Sequence, residues 1–289
     1  GTEKDRIPRL VAPEENGFRS MSCATGSSFC GLSLNPGQKL AVKGALLKLK
    51  LQQNLESITF WGKIMGTEKD FLIAKSLKTG KMEFKTTYYV SVDEGVSFSE
   101  LLSCPEHKKK MAAELKFQMF KGNLQFKYGK APEEPEEEGK AVEDPRLSEE
   151  ERLSHVVETI DKETCIVPKG AYVLTATSRV CPNVEFKGLS SLMAKKLSSY
   201  VLMQQPVEHK TLTKIKCRGA ANTTDFLDGI ANAEPKGVWT VQEDSTGLMV
   251  TLRHLRWTGF EFHTTVGTSS YEGAYFGYGL ENHDVALMV

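Results

Sequence analysis

No run of apolar residues in this 289-residue chain approaches the ~20 needed to cross a bilayer, and no signal-peptide pattern opens it. A soluble protein of the cytoplasm is expected. Cysteine is sparse. The six (Cys23, Cys30, Cys104, Cys165, Cys181, Cys217) form no C-x-x-C pair and no tight framework, which excludes a disulfide scaffold and points to reduced thiols. An excess of one charge is missing as well: lysine plus arginine equals aspartate plus glutamate, 37 each. That balance hides an acidic stretch, 131–151, with ten acids against Lys140 and Arg146, so the remainder carries +8. Eight charges spread over such a length make no concentrated basic face, and no nucleic-acid partner is expected.

Signatures of chemistry are also wanting. The nearest string to a nucleophile elbow, Gly267-Thr268-Ser269-Ser270-Tyr271, ends in tyrosine where glycine is needed. No phosphate-binding loop follows a strand, and the glycines around 275–279 read as strand-and-turn glycine. His254 and His263 fall on neighbouring strands, and Glu261 shares a strand face with His263. Two ligands without a third do not make a metal site. No catalytic, cofactor-binding or metal-binding residue is therefore expected. The short run Lys108–Lys110 reads as a solvated face.

What is present is aromatic and β-prone, most densely in 235–279. Val238–Val241 forms a short run, 243–247 a turn and 248–257 a longer run, the pattern of an antiparallel hairpin. Leu248, Val250 and Leu252 alternate with Met249, Thr251 and Arg253, as in a strand with one buried face. Two glycine-bounded aromatic segments, 260–263 and 271–278, complete a meander of four strands. Earlier, 58–65 and 71–74 make a second hairpin, with Gly62 either in a bulge or under a close neighbour. The stretch 82–92 is a further strand, and aromatic 117–128 could be another.

Helices are fewer. Asn35-Pro36 signals a helix start, with Leu40, Leu46, Leu47 and Leu51 roughly at helical spacing behind it. A short helix is expected over 105–115. Ser148 followed by Glu151 is a capping box, and Leu153, Val156, Val157 and Ile160 lie on one face of the helix it opens. Another helix is expected from Ser191 to Pro206, burying Leu192, Ala194, Leu197 and Tyr200. There is no internal repeat and no heptad array. The fold class is α+β: antiparallel sheets built from hairpins and a C-terminal meander, covered by a few amphipathic helices. Residues 1–31 read as a flexible extension and 32–289 as the α+β domain, with a mobile acidic insert at about 131–147.

The strings themselves resemble a known family. Phe60-Trp61-Gly62-Lys63-Ile64-Met65-Gly66, followed by Asp70-Phe71-Leu72-Ile73-Ala74, is similar to a segment of radial spoke head proteins, and Val167-Pro168-Lys169-Gly170-Ala171 to a turn in them. Phe186-x-Gly188-Leu189-Ser190, Ala194–Tyr200, Pro235-Lys236-Gly237-x-Trp239 and Leu252–Gly259 resemble the protein 9 branch of that family. The likeness runs in order from about Asn35 onward. It departs at the N-terminal extension, at the acidic insert and at Thr258, where the family pattern has proline.

The resemblance implies a non-enzymatic structural subunit of the axonemal radial spoke head. Such a subunit would support spoke-head assembly and mechanical signalling between the central pair and the outer doublets in ciliary and flagellar motility. Its implied partners are the related head proteins 4 and 6 and the central-pair apparatus; no membrane and no small-molecule substrate is implied. The implied location is the cytoskeleton of the cilium. The alternatives are a generic cytosolic interaction adaptor and a hydrolase whose acid/base pair spacing does not reveal. Trp61, Trp239 and Trp257 read first as core anchors of the hairpins; with Tyr275 and Phe276, Trp61 and Trp257 are also the candidate partner-interface residues, since aromatics concentrate at binding hot spots.

Overall fold

A computed structural model of the protein describes residues 33–80, 84–129, 146–218 (side chains to 215) and 223–285. The expected 1–31 extension lies outside them, as does the acidic insert except Arg146 and Leu147. Leu147 is fully buried.

The helices are α1 (Pro36–Gln53), α2 (Glu106–Glu114), α3 (Glu149–Thr164), α4 (Ser191–Ala194) and α5 (His209–Arg218). The N-terminal strands are β1 (Thr59–Ile64), β2 (Phe71–Thr79), β3 (Phe84–Ser91) and β4 (Ser99–Glu100). Six short strands follow: β5 (Lys127–Tyr128), β6 (Leu147–Ser148), β7 (Ile166–Pro168), β8 (Tyr172–Leu174), β9 (Val180–Pro182) and β10 (Tyr200–Leu202). The C-terminal meander is β11 (Trp239–Glu243), β12 (Met249–His254), β13 (Phe260–Thr265) and β14 (Tyr271–Gly277).

The two hairpin regions are one sheet, in the order β11-β12-β13-β14-β1-β2-β3-β4. Every pairing in it is antiparallel except β1 with β14, where Gly62, Lys63 and Ile64 lie beside Tyr275, Phe276 and Gly277. This α+β architecture matches the sequence-based expectation. Both readings of Gly62 hold together. The β1–β2 register shifts between Phe60 and Gly62, and a Cβ on Gly62 would lie 2.2 Å from the Tyr275 carbonyl oxygen. Only glycine lets the parallel strands approach so closely.

Alternate residues on the central strands face two helices. On one side Phe60, Leu72, Ala74, Tyr89 and Phe276 pack with Val42, Leu46 and Leu49 of α1. On the other, Trp61, Ile64, Phe71, Ile73, Tyr88 and Val90 pack with Leu153, Val156, Val157 and Ile160 of α3. A sheet covered on both faces explains why the first six residues of β2 are all buried. Both helices open on reciprocal caps. Asn35 and Gln38 exchange side-chain and backbone hydrogen bonds at α1, and Ser148 and Glu151 do so at α3. Gly188 allows another close approach. With φ at +97° its missing Cβ would fall 2.0 Å from the Thr268 carbonyl oxygen, so the 186–190 segment rests directly on the β13–β14 turn.

Several expectations are corrected. The helix expected behind Asn35-Pro36 forms as α1, but of the leucines that marked it only Leu46 is buried; Leu40, Leu47 and Leu51 are exposed, and Val42 and Leu49 face the sheet with Leu46. Phe117–Tyr128 is turn and loop apart from a single bridge of Phe120 to Gly66 and the two residues of β5, because it wraps the N-terminal end of α3. The 191–206 helix stops after one turn. The β-branched and aromatic run Tyr200-Val201-Leu202 pairs with β7 instead, and Leu192 is exposed. Leu248 is also exposed, just before β12, whose inward positions are Val250, Leu252 and His254. Lys108 is not solvated: it is buried where α2 meets α3, with Nζ 2.8 Å from Glu151 Oε1.

Candidate functional site: a buried charge cluster under helix α3

The apolar stripe of α3 continues by helical steps into polar residues. Four positions before Leu153 stands Glu149; four beyond Val157 stands Asp161; four beyond Ile160 stands Thr164. All three are buried, and so is Arg152. A helix face that buries charge must supply each one with partners.

Asp161 finds them on three adjacent strands. Trp61 on β1, Lys75 on β2 and Tyr88 on β3 share the sheet face beneath it, with Lys75 directly opposite Tyr88. Lys75 Nζ donates to Oδ1 at 2.8 Å and to Oδ2 at 2.6 Å. The Trp61 indole donates to Oδ1 at 3.1 Å and the Tyr88 hydroxyl to Oδ2 at 2.9 Å. Two bonds on each oxygen take up all the acceptor directions of the carboxylate. Cys165 Sγ lies 3.0 Å from Lys75 Nζ.

The electrostatics follow from burial and pairing. Burial alone would pull the Lys75 ammonium down; Asp161 and Cys165 outweigh it and hold the pKa above the ordinary lysine value. Burial and then Asp161 push the Tyr88 phenol up, and burial raises the Cys165 thiol against the pull of Lys75. Lysine stays protonated, while tyrosine and cysteine stay neutral. A cavity of about 220 Å³ adjoins the cluster between Trp61, Lys75, Cys165, Phe262 and Tyr271. The side chains facing it supply neither a free amine nor a thiolate to act as nucleophile.

A second cluster sits at the N-terminal end of α3. The Arg152 guanidinium lies 4.2 Å above the Phe120 ring. It donates to the Tyr128 hydroxyl at 2.7 Å, to the Leu115 carbonyl at 2.9 Å and to the Gln118 carbonyl. Tyr128 donates to Glu149 Oε2 at 3.0 Å, and Glu149 Oε1 accepts from the Gly122 amide at 2.6 Å. Burial pushes the Tyr128 phenol up to about 12. A third tie holds the other end: Trp257 and Arg256 both donate to Glu163, and Arg256 also to Glu281.

All four aromatic residues singled out from the sequence are buried within the chain, none more than 7% exposed. Trp61 and Tyr275 meet on the α3 side with ring centroids 5.5 Å apart. Phe276 lies against Phe60 on the α1 side, and Trp257 lies beside Glu163. This chain's own core accounts for their apolarity. Glu261 pairs with Arg253 at 3.0 Å and lies 3.6 Å from His263; among the described residues no group of three or more potential ligands forms a metal cluster. The sequence reading missed Lys75, Tyr88, Arg152 and Asp161. For Asp161 a signal existed, the continuation of the stripe by four residues; for Lys75, one residue past the expected strand 71–74, there was none.

Fold and clusters together define an α+β body in which charged groups of α3 fasten that helix to the sheet, to α2 and to the 115–128 segment. The chain belongs to the radial spokehead-like protein family, whose sequence profile matches residues 21–172. Its similarity to individual members runs nearly end to end. It is 30% identical over 276 residues to the radial spoke head protein 9 homolog of Homo sapiens, covering 93% of this chain and 97% of the relative. The homolog of Bos taurus is 29% identical over the same shares. That of Danio rerio is 28% identical over 90% of this chain and 94% of its own length.

Proposed function

We propose that this chain is a structural, non-enzymatic component of the radial spoke head in the axoneme of motile cilia and flagella. The observation that carries the reading is the near-full-length similarity to radial spoke head protein 9 homologs. The α3 clusters support it, because they hold α3 to the sheet at one end and to the 115–128 segment at the other. In this role the chain supports spoke-head assembly and passes mechanical signals between central pair and outer doublets. Its partners are the related head proteins 4 and 6 on one side and the central-pair apparatus on the other.

Stiffness is the physical contribution. A sheet clamped between α1 and α3, with α3 tied at both ends, deforms little under load. Trp61, Trp257, Tyr275 and Phe276 serve partners in this reading by fixing the strands and rims that a partner meets. The outer strands β11 and β4 leave sheet edges that natural proteins cover or blunt, and a homologous head protein is the proposed cover.

The test is replacement of the endogenous relative in a ciliated cell by this chain carrying a tag. Electron cryotomography should place the tag at the spoke head and motility should be restored. A tag that stays in the cell body while spoke heads remain incomplete would overturn the proposal.

A further inference from the structure

Helix α1 carries two apolar stripes on opposite faces, and the described residues pack against one. Val42, Leu46 and Leu49 are buried against the sheet, whereas Leu40, Leu47 and Leu51 are 75%, 51% and 74% exposed. Gly44 completes the outer row, with open space where its Cβ would stand. Positions 40, 44, 47 and 51 are spaced four, three and four apart, the spacing of the a and d positions of a coiled coil. With Leu40 and Leu47 at d and Gly44 and Leu51 at a, Lys43 and Lys50 occupy g and Lys48 occupies e. Val42 and Leu49 fall at f, on the side away from the seam.

From this geometry we propose that the outer face of α1 docks an amphipathic helix of another protein, one whose leucine-type seam is flanked by glutamate or aspartate. Charge complementarity selects that occupant. α1 contains no acidic residue, and lysines border the seam on both sides. A second copy of this chain would set lysine against lysine at the flanks, g against e in parallel pairing and g against g in antiparallel. Like charges there oppose association. A membrane surface suits a broad apolar face, but this row is the narrow seam typical of helix pairing.

The chain's own acidic stretch supplies the charge without the seam. Residues 131–145 contain three prolines and, as apolar side chains, only Ala131, Ala141 and Val142. The 1–32 segment balances four basic residues against four acidic ones. Two heptads alone would make a marginal coiled coil. Here α1 is already held helical by its inner face, so the ordering cost on this side has been met by folding. The inference goes beyond the spoke-head reading and stands on the surface of α1 alone.

The experiment titrates the full chain into two fluorescein-labelled synthetic helices of three heptads. Both carry leucine at a and d; one has glutamate and the other lysine at e and g. The glutamate-flanked helix is expected to bind at least tenfold more tightly by fluorescence anisotropy. Leu47→Ser with Leu51→Ser should weaken that binding at least tenfold while circular dichroism and thermal unfolding stay unchanged, since both side chains face outward. Lys43→Glu, Lys48→Glu and Lys50→Glu together should reverse the preference. Equal binding of the two helices, no binding of either, or indifference to the leucine substitutions would overturn the proposal. So would sedimentation showing a dimer that Leu47→Ser dissolves, adsorption to phosphatidylserine vesicles in place of helix binding, or binding that emerges only after residues 1–32 are removed.

Discussion

The indole of Trp257 donates a hydrogen bond to Glu163 Oε2 at 2.7 Å, joining the β12–β13 turn to the last turn of α3. Burial raises the Glu163 carboxyl, and the bonds from Trp257 and Arg256 counter it. Trp257→Phe keeps most of the apolar bulk and removes the donor. It should lower unfolding free energy by ~1.5–3 kcal/mol, the range for hydrogen bonds to charged groups. Trp257→Ala also opens a cavity and should cost ~3–5 kcal/mol. Urea titrations of the two variants check this; a negligible loss for Trp257→Phe beside a large one for Trp257→Ala would mean that the indole packs without bonding.

Lys75 and Asp161 are partners in a buried pair, so removing one strands the other. Lys75→Met and Asp161→Leu should each destabilise by ~3–5 kcal/mol. The double variant removes both charges, although Trp61 and Tyr88 then lose their acceptor. Its loss should be well below the sum of the single losses. A double-mutant cycle by chemical denaturation gives the coupling directly, and simple additivity would count against the pairing.

His254 gives the protein an acid sensitivity. Its ring is buried edge-on to Trp239 with centroids 4.6 Å apart, and Nδ1 accepts from the Trp257 amide at 3.1 Å. Burial, with Arg256 nearby, holds its pKa down at about 4 against an ordinary 6.5. Because the folded value is depressed, the unfolded chain takes the proton first. Stability is fully present above 6.5 and is lost as pH falls towards 4. The expected contribution lost between pH 7.5 and 5 is about 2 kcal/mol. His254→Asn, which keeps an acceptor near Nδ1 and cannot titrate, should flatten stability over that window; an unchanged pH profile would place the sensitivity elsewhere.

Deleting 131–144 should leave the fold intact. The strands on either side, β5 and β6, pair with each other, Lys127 opposite Ser148 and Tyr128 opposite Leu147, so the shortened connection still spans adjacent ends. Shortening the connection more than fourfold changes the closure entropy by only about 1.3 kcal/mol, in the stabilising direction. Differential scanning calorimetry should show a melting temperature within a few degrees of the parent. A larger fall would mean that the acids pair with the basic remainder.

Local instructions were legible in the sequence, and contacts between distant segments were not. The meander, the hairpin expected over 58–65 and 71–74, and both caps follow from β-prone runs, turn residues and Asn35 or Ser148 side chains acting within four residues, although β2 runs on to Thr79. The stretch 191–206 went astray because a helical spacing of apolar residues competes with a β-prone Tyr200-Val201-Leu202, and the partner strand at 166–168 that settles the competition is over thirty residues away. Lys108 misled for a similar reason: a lysine triplet says nothing of a glutamate forty-three residues on.

The sequence by itself determined the strands of the two hairpin regions, where the main helices α1 and α3 start, and, through strings spread along the chain, the family. Tertiary structure decided three things: that the two strand regions join through the parallel pair β1–β14, that α3 seats its charges on the sheet, and which stripe of α1 faces inward. The last shows the physical reason most plainly. Leu40, Leu47 and Leu51 are as apolar as Val42, Leu46 and Leu49, so periodicity supports either face. Burial depends on which side meets Phe60, Leu72 and Phe276, and that is fixed by strand pairing far along the chain, not by the helix.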